Sequence, residues 1–113
     1  GLIIKRPIAN AAWRSTKKIF VGFSDYFDDS YKERANEMIK LGPLDNEPAN
    51  SIEFALGYVL SEKIVNTAIV GTKDDKHLLT NINLVKKGIN IDSNLINEIK
   101  NRFEKLGDNW VQM

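Results

Sequence analysis

The chain contains no cysteine. Disulfides, thiolate metal sites and a cysteine nucleophile are therefore excluded, and the lack is compatible with a cytoplasmic setting. It has a single histidine, His77, so a serine–histidine relay has one place to be built, and no nucleophile elbow accompanies it. No apolar run approaches the roughly 20 residues that span a bilayer. Lys5 and Arg6 also interrupt the first apolar stretch before it reaches the length of a signal segment. An excess of charge of one sign is missing too: 16 basic residues against 15 acidic ones leave +1. That balance supplies no overall field toward nucleic acid or an anionic membrane, so any anion binding is local. Nor do Asp25, Asp28 and Asp29 have the glycine turn and bidentate ligand of a calcium loop. They read as helix-capping acids, and no metal site is expected.

What the sequence does hold is 42% apolar and 27% charged residues over 113 positions, the mixture of a globular chain with one core. Leu2, Ile3 and Ile4 form an apolar run ended by Lys5, Arg6 and Pro7, which predicts a parallel strand buried on both faces. Periodicity then fails from Ala9 to Asp28, a long loop with short helical turns. Asp28 or Asp29 opens a first helix with Tyr31, Ala35, Met38 and Ile39 at helical spacing, stopped by Gly42 and Pro43. Asp45 to Ala49 is a linker. A second helix starts near Asn50 or Ser51, carries Ile52, Ala55, Leu56, Val59 and Leu60 on one stripe, and ends near Glu62.

Asn66 to Gly71 reads as a second buried strand. A third helix runs from about Asp74 to Lys87 with Leu78, Ile82 and Val85 inward and Gly88 as its stop. A fourth is capped by Asp92 or Ser93, turns Leu95, Ile96, Ile99 and Phe103 inward, and stops at Gly107. Four helices and two strands in this order predict a helix-rich α/β fold. Two strands alone leave edges unpaired, so further strands are expected from a preceding segment or a partner, unless the helices repack over them. Gly1 in the first position fits a start inside a longer polypeptide or after a removed tag.

The strongest constellation is a strand followed by Gly71, Thr72 and Lys73, then a helix with His77 and Asn81 one turn apart. A strand-to-helix turn of this kind directs backbone N–H groups and the positive helix end toward an anion. Asp74 and Asp75 favour a plainer reading, an ordinary capped helix whose dipole is already satisfied. The second constellation, Lys5 to Asn10, follows the first strand, and ligands of parallel α/β sheets sit beyond the carboxy ends of strands. Here too a plainer reading exists, with Arg6 and Asn10 satisfying a turn beside Pro7. If the two strands are neighbours, both constellations meet at one mouth. Trp13 lines that mouth or, more plainly, covers apolar surface, as Trp110 does.

Two segments resemble the carboxy-terminal part of bacterial aldo-keto reductases. GLIIKRPIANAAW, Gly1 to Trp13, is similar to their seventh barrel strand and the loop after it. FALGYVLSEKIVNTAIVGTKDDKHLLTNINLVKKG, Phe54 to Gly88, is similar to their seventh helix, eighth strand and eighth helix, with the VGT turn and the HLxxN helix. The resemblance implies that the whole chain, 1–113, is a fragment of a (β/α)8 TIM barrel: its last two strands with their helices, plus a carboxy-terminal helix. It implies an NADPH-dependent oxidoreductase acting on aldehydes or ketones. Carried over, Arg6, Pro7, Ile8 and Asn10 lie by the nicotinamide and pyrophosphate, and Gly71, Thr72, Lys73, His77 and Asn81 hold the adenosine 2′-phosphate and adenine.

Two departures from that family stand out. Lys5 occupies a position that often stacks an aromatic on the nicotinamide, and Thr80 one that is often acidic. The family's catalytic Asp, Tyr, Lys and His have no counterpart in this chain, so no catalytic residue is assigned. Tyr26, Tyr31 and Tyr58 read as packing or surface residues, since an acid needs a poised partner and a substrate pocket. The expected partners are a small carbonyl substrate and the missing barrel segments, or a second copy of the chain, with neither nucleic acid nor membrane. The rival expectation is a non-catalytic truncated helical module for interaction or oligomerisation.

Overall fold

The structure, a computed structural model, describes residues 1–11 and 25–110, except the side chains of Asn10 and of residues 25–29. Strand β1 spans Leu2–Lys5 and is followed by a 3-10 turn at Ala9–Ala11. Helix α1 spans Asp25–Lys40, α2 Ser51–Ser61, strand β2 Val65–Ile69, α3 Asp75–Lys87 and α4 Ser93–Leu106, with a closing 3-10 turn at Gly107–Asn109. Among the described residues the chain is thus a helix-rich α/β fold of four helices and a two-stranded parallel sheet.

Local chemistry explains most of these boundaries. The Asn50 side chain accepts hydrogen bonds from the N–H groups of Ile52 (2.9 Å) and Glu53 (3.3 Å), which satisfies the first orphan donors of α2. Asp92 does the same for α4 through Asn94 N–H at 2.8 Å. Helix α1 ends where Gly42 takes φ 106 and α3 where Gly88 takes φ 87, both in a region that favours a residue without Cβ. Helix α1 begins at Asp25, earlier than expected, so Asp28 and Asp29 lie within it and do not cap it. Most of the expected 9–28 loop, and Trp13 with it, lies outside the described residues, as does the Tyr26 side chain.

The strands pair in parallel with Ile3 opposite Thr67, Ile4 opposite Ala68 and Lys5 opposite Ile69, with an irregularity between Leu2 and Ile3. Beside it, the Asn66 side chain accepts from Leu2 N–H at 2.8 Å. The strands are not buried on both faces as their apolarity predicts: Ile3 is 60% exposed and Ile69 55%. Apolar composition states what a segment tolerates, and with two strands little is present to cover them. The inward face expected for α3 is likewise exposed at Leu78, Ile82 and Val85.

Among the described residues the hydrophobic core is Leu56 of α2, Ile91 ahead of α4, and Leu95 of α4. Gly57 lies at their meeting point. A Cβ there would come within 2.5 Å of both Ile89 Cγ2 and Ile91 Cγ1, so glycine lets α2 approach the segment after α3. On α4 the expected stripe is displaced: Leu95 is buried, but Phe103 is 55% exposed and its neighbour Arg102 only 7%. Arg102 is inside because its donors are used. Nε donates to Glu98 Oε1 at 2.7 Å, Nη1 to the carbonyls of Met38 (3.0 Å) and Gly42 (2.7 Å), and Nη2 to that of Pro43 (3.0 Å). One guanidinium therefore meets the Met38 carbonyl in the last turn of α1 and the Gly42 and Pro43 carbonyls just after it, and ties that helix end to α4.

Two outcomes follow for stability. Arg102→Met should lower the unfolding free energy by about 3 kcal/mol, since charge-assisted hydrogen bonds are lost and carbonyls are left without their donor. Urea unfolding reads this, and a change below about 0.5 kcal/mol, typical of a neutral surface substitution, would contradict it. Gly57→Ala gains about 1 kcal/mol of helix propensity, yet overpacking against Ile89 and Ile91 costs about 1–3 kcal/mol. The variant should therefore be no more stable than the parent, and a clearly raised unfolding midpoint would refute the close packing.

Candidate functional site

Parallel pairing sends the carboxy ends of both strands to the same edge of the sheet, with Lys5 directly opposite Ile69. The segments that leave that edge border one open cleft of about 790 Å³. Its polar lining includes Lys5, Arg6, Thr72, His77, Thr80 and Asn81. Apolar side chains of Ile8, Ile52, Ile69 and Val70 complete much of the wall. No Asp or Glu is found among the described residues that line it. In a chain of net charge +1 this is a local separation of charge: Lys5, Arg6 and His77 line the cleft, with no carboxylate among its described lining residues.

Most residues singled out from the sequence meet here. Arg6, Pro7, Ile8, Gly71, Thr72, His77 and Asn81 all border the cleft. Lys73 is exposed beside it without lining it, and the Asn10 side chain lies outside the described residues. Sequence reasoning missed the contribution of α2: Asn50 and Ile52, at its start, also line the cleft. Asn50 was legible as a cap, but its position under two strand ends depends on tertiary packing.

The backbone after β1 is strained. Arg6 (φ 55), Ala9 (φ 43) and Ala11 (φ 56) are non-glycine residues in the left-handed region, at about 1–3 kcal/mol each. Short bonds hold this turn, from Ala9 N–H to the Arg6 carbonyl and from Ala11 N–H to the Ile8 carbonyl, both 2.8 Å. Arg6 is further tied to α1, its Nη1 donating to the Tyr31 hydroxyl at 3.4 Å.

The turn after β2 differs from the expectation of free N–H groups awaiting an anion. Asp74 N–H donates to Thr72 Oγ1 at 3.1 Å, and Lys76 N–H to Asp74 Oδ1 and Asp75 Oδ1, each at 2.9 Å. Those amides are engaged by short polar side chains that compete well at a helix start. An anion here would rely on side chains, Lys73 and His77 foremost. His77 Nε2 stands 3.9 Å from Asp74 Oδ2, so one carboxylate lies at the border of the site.

Of the tyrosines, Tyr58 is not placed for acid catalysis. Burial raises the pKa of its phenol and Glu62 adds to this, while Lys100 pulls the other way. Lys100 itself pairs with Glu62, whose hydrogen bond holds the ammonium pKa up. A tyrosine acid at neutral pH requires the opposite shift. Tyr58 is also absent from the residues bordering the cleft. Comparisons with protein-family profiles, with curated proteins and with solved structures return no match.

Proposed function

We propose that the cleft at the strand ends is the binding site for the phosphate-bearing part of NADPH, and that the chain is the carboxy-terminal part of an aldo-keto reductase barrel. One observation carries this reading: parallel pairing brings Lys5 and Arg6 from one strand end, and Thr72, His77 and Asn81 from the other, around one cleft with no carboxylate among its described lining residues. The cleft volume, about 790 Å³, falls within the ordinary range for ligand sites. Arg6, Pro7, Ile8 and Asn10 would face the nicotinamide and pyrophosphate. Gly71, Thr72, Lys73, His77 and Asn81 would hold the 2′-phosphate and adenine. When bound, the cofactor supplies a hydride for a carbonyl carbon, while this chain's residues bind and orient it. The acid that protonates the carbonyl oxygen, and the substrate pocket for an aldehyde or ketone, would come from barrel segments beyond this sequence.

A second reading is a non-catalytic module for interaction or oligomerisation. It is favoured by exposed Leu2, Ile3 and Ile69 on the strands and by Leu78, Leu79, Ile82 and Val85 on α3. Both readings cover those surfaces, with barrel segments in the first and another copy or partner in the second. An upstream reading frame that encodes Asp, Tyr, Lys and His at strand ends separates them.

Two outcomes test the first reading. In an intact barrel containing this segment, Lys73→Ala should weaken NADPH by about 1–3 kcal/mol, the loss of one charge-assisted contact, and leave NADH nearly unchanged. Fluorescence titration of both cofactors measures it, and equal losses would show that Lys73 supports only the fold. The chain alone should not oxidise NADPH in the presence of aldehydes or ketones, because a positioned acid is required. Turnover by purified chain free of host reductases would overturn this.

A further inference from the structure

We propose that Tyr31 is a positioning residue for the cleft, acting through Arg6. The inference rests on the anion-binding reading of the cleft and adds to it a residue on a different element. Arg6 leaves β1 with a left-handed backbone (φ 55), followed by Pro7, which is buried and has its own φ fixed by the ring. The Cα–Cβ direction of Arg6 is therefore set by the turn. Beyond that, its side chain is long and exposed, and the Tyr31 hydroxyl is one of the contacts that hold it. The Tyr31 hydroxyl accepts from Nη1 at 3.4 Å across 25 residues of sequence. A phenol suits this task. Its hydroxyl oxygen accepts from the guanidinium at the end of a short, ring-stiffened side chain.

Tyr31 is itself held. It is half-buried on α1, and the far end of that helix is fastened to α4 by the three carbonyl contacts of Arg102. The hydroxyl therefore belongs to an anchored helix, and what it orients is oriented relative to the rest of the fold. Pre-orientation reduces the ordering cost that the ligand would otherwise meet on binding.

The test is a double-mutant cycle on the whole chain, titrated by calorimetry with 2′-phospho-ADP-ribose and, in parallel, with inorganic pyrophosphate. Tyr31→Phe keeps the ring and removes the acceptor; it should weaken binding about three- to tenfold, the worth of one hydrogen bond, with an unchanged urea midpoint. Arg6→Gln should weaken binding further, and Tyr31→Phe should have no additional effect in that background. Arg6→Met removes the donor at similar length and gives a second background in which Tyr31→Phe should again be silent, so the inference does not depend on one variant folding. Additive losses, or parental affinity for Tyr31→Phe, would overturn the positioning role while leaving the cleft reading intact. Parental affinity for Arg6→Gln would overturn it also, because Arg6 would not touch the ligand. Absence of binding by the unsubstituted chain to both probes would overturn the cleft reading and the positioning role together.

Discussion

The guanidinium of Arg102 closes the end of α1, and much of the architecture rests on that contact. Among its described side chains helix α1 buries little apolar surface: Ile39 is exposed, and Tyr31, Ala35 and Met38 are only half-buried. A charged donor shared among the carbonyls of Met38, Gly42 and Pro43 stands where α2 and α4 have the buried Leu56 and Leu95. Trp110 reinforces the same junction. Its Nε1 donates to Glu37 at 3.1 Å, Arg34 lies 5.4 Å from its ring centre, and Phe103 meets it edge-on with ring centres 5.5 Å apart. Once α1 is fixed, Tyr31 is fixed, and through it the approach of Arg6 to the cleft.

The other constraint is the pairing of β1 with β2. Because the strands run parallel, segments more than 60 residues apart in sequence, those after Lys5 and after Ile69, emerge at one edge. The charges there then differ from the chain average. Balanced overall, the sequence places Lys5, Arg6 and His77 around the cleft, with no carboxylate among its described lining residues. Asp74 and Asp75 stay at the border, engaged with the Lys76 N–H. The site is thus lined by Lys5 and Arg6, with carboxylates near its His77 side.

How much of this was legible from residues alone depended on whether the determining contact was local. The caps Asn50, Asp74 and Asp92 and the stop Gly88 act within a few residues, and α2, α3 and α4 begin and end where those signals indicate. The meeting of the two constellations was legible on condition that the strands were neighbours, and they are. What covers a surface was not legible. Apolar strands and the α3 stripe read as buried, yet Ile3, Ile69, Leu78, Ile82 and Val85 are exposed. Arginine ranks among outward residues, so the exchange of Phe103 for Arg102 in the buried position required knowledge of where α1 ends. Tyr31 read as a packing or surface residue, and nothing local to it points to Arg6, 25 residues away, as its partner.

The central claim is that two strand ends make one site for a phosphate-bearing ligand, and amide proton–nitrogen correlation spectra of the whole chain titrated with 2′-phospho-ADP-ribose test it most directly. Resonances of residues 6–11 and 71–81 should shift together and saturate at a common midpoint, while those of α4 stay in place. Shifts confined to one of the two segments, or spectra unchanged at millimolar ligand, would contradict the account.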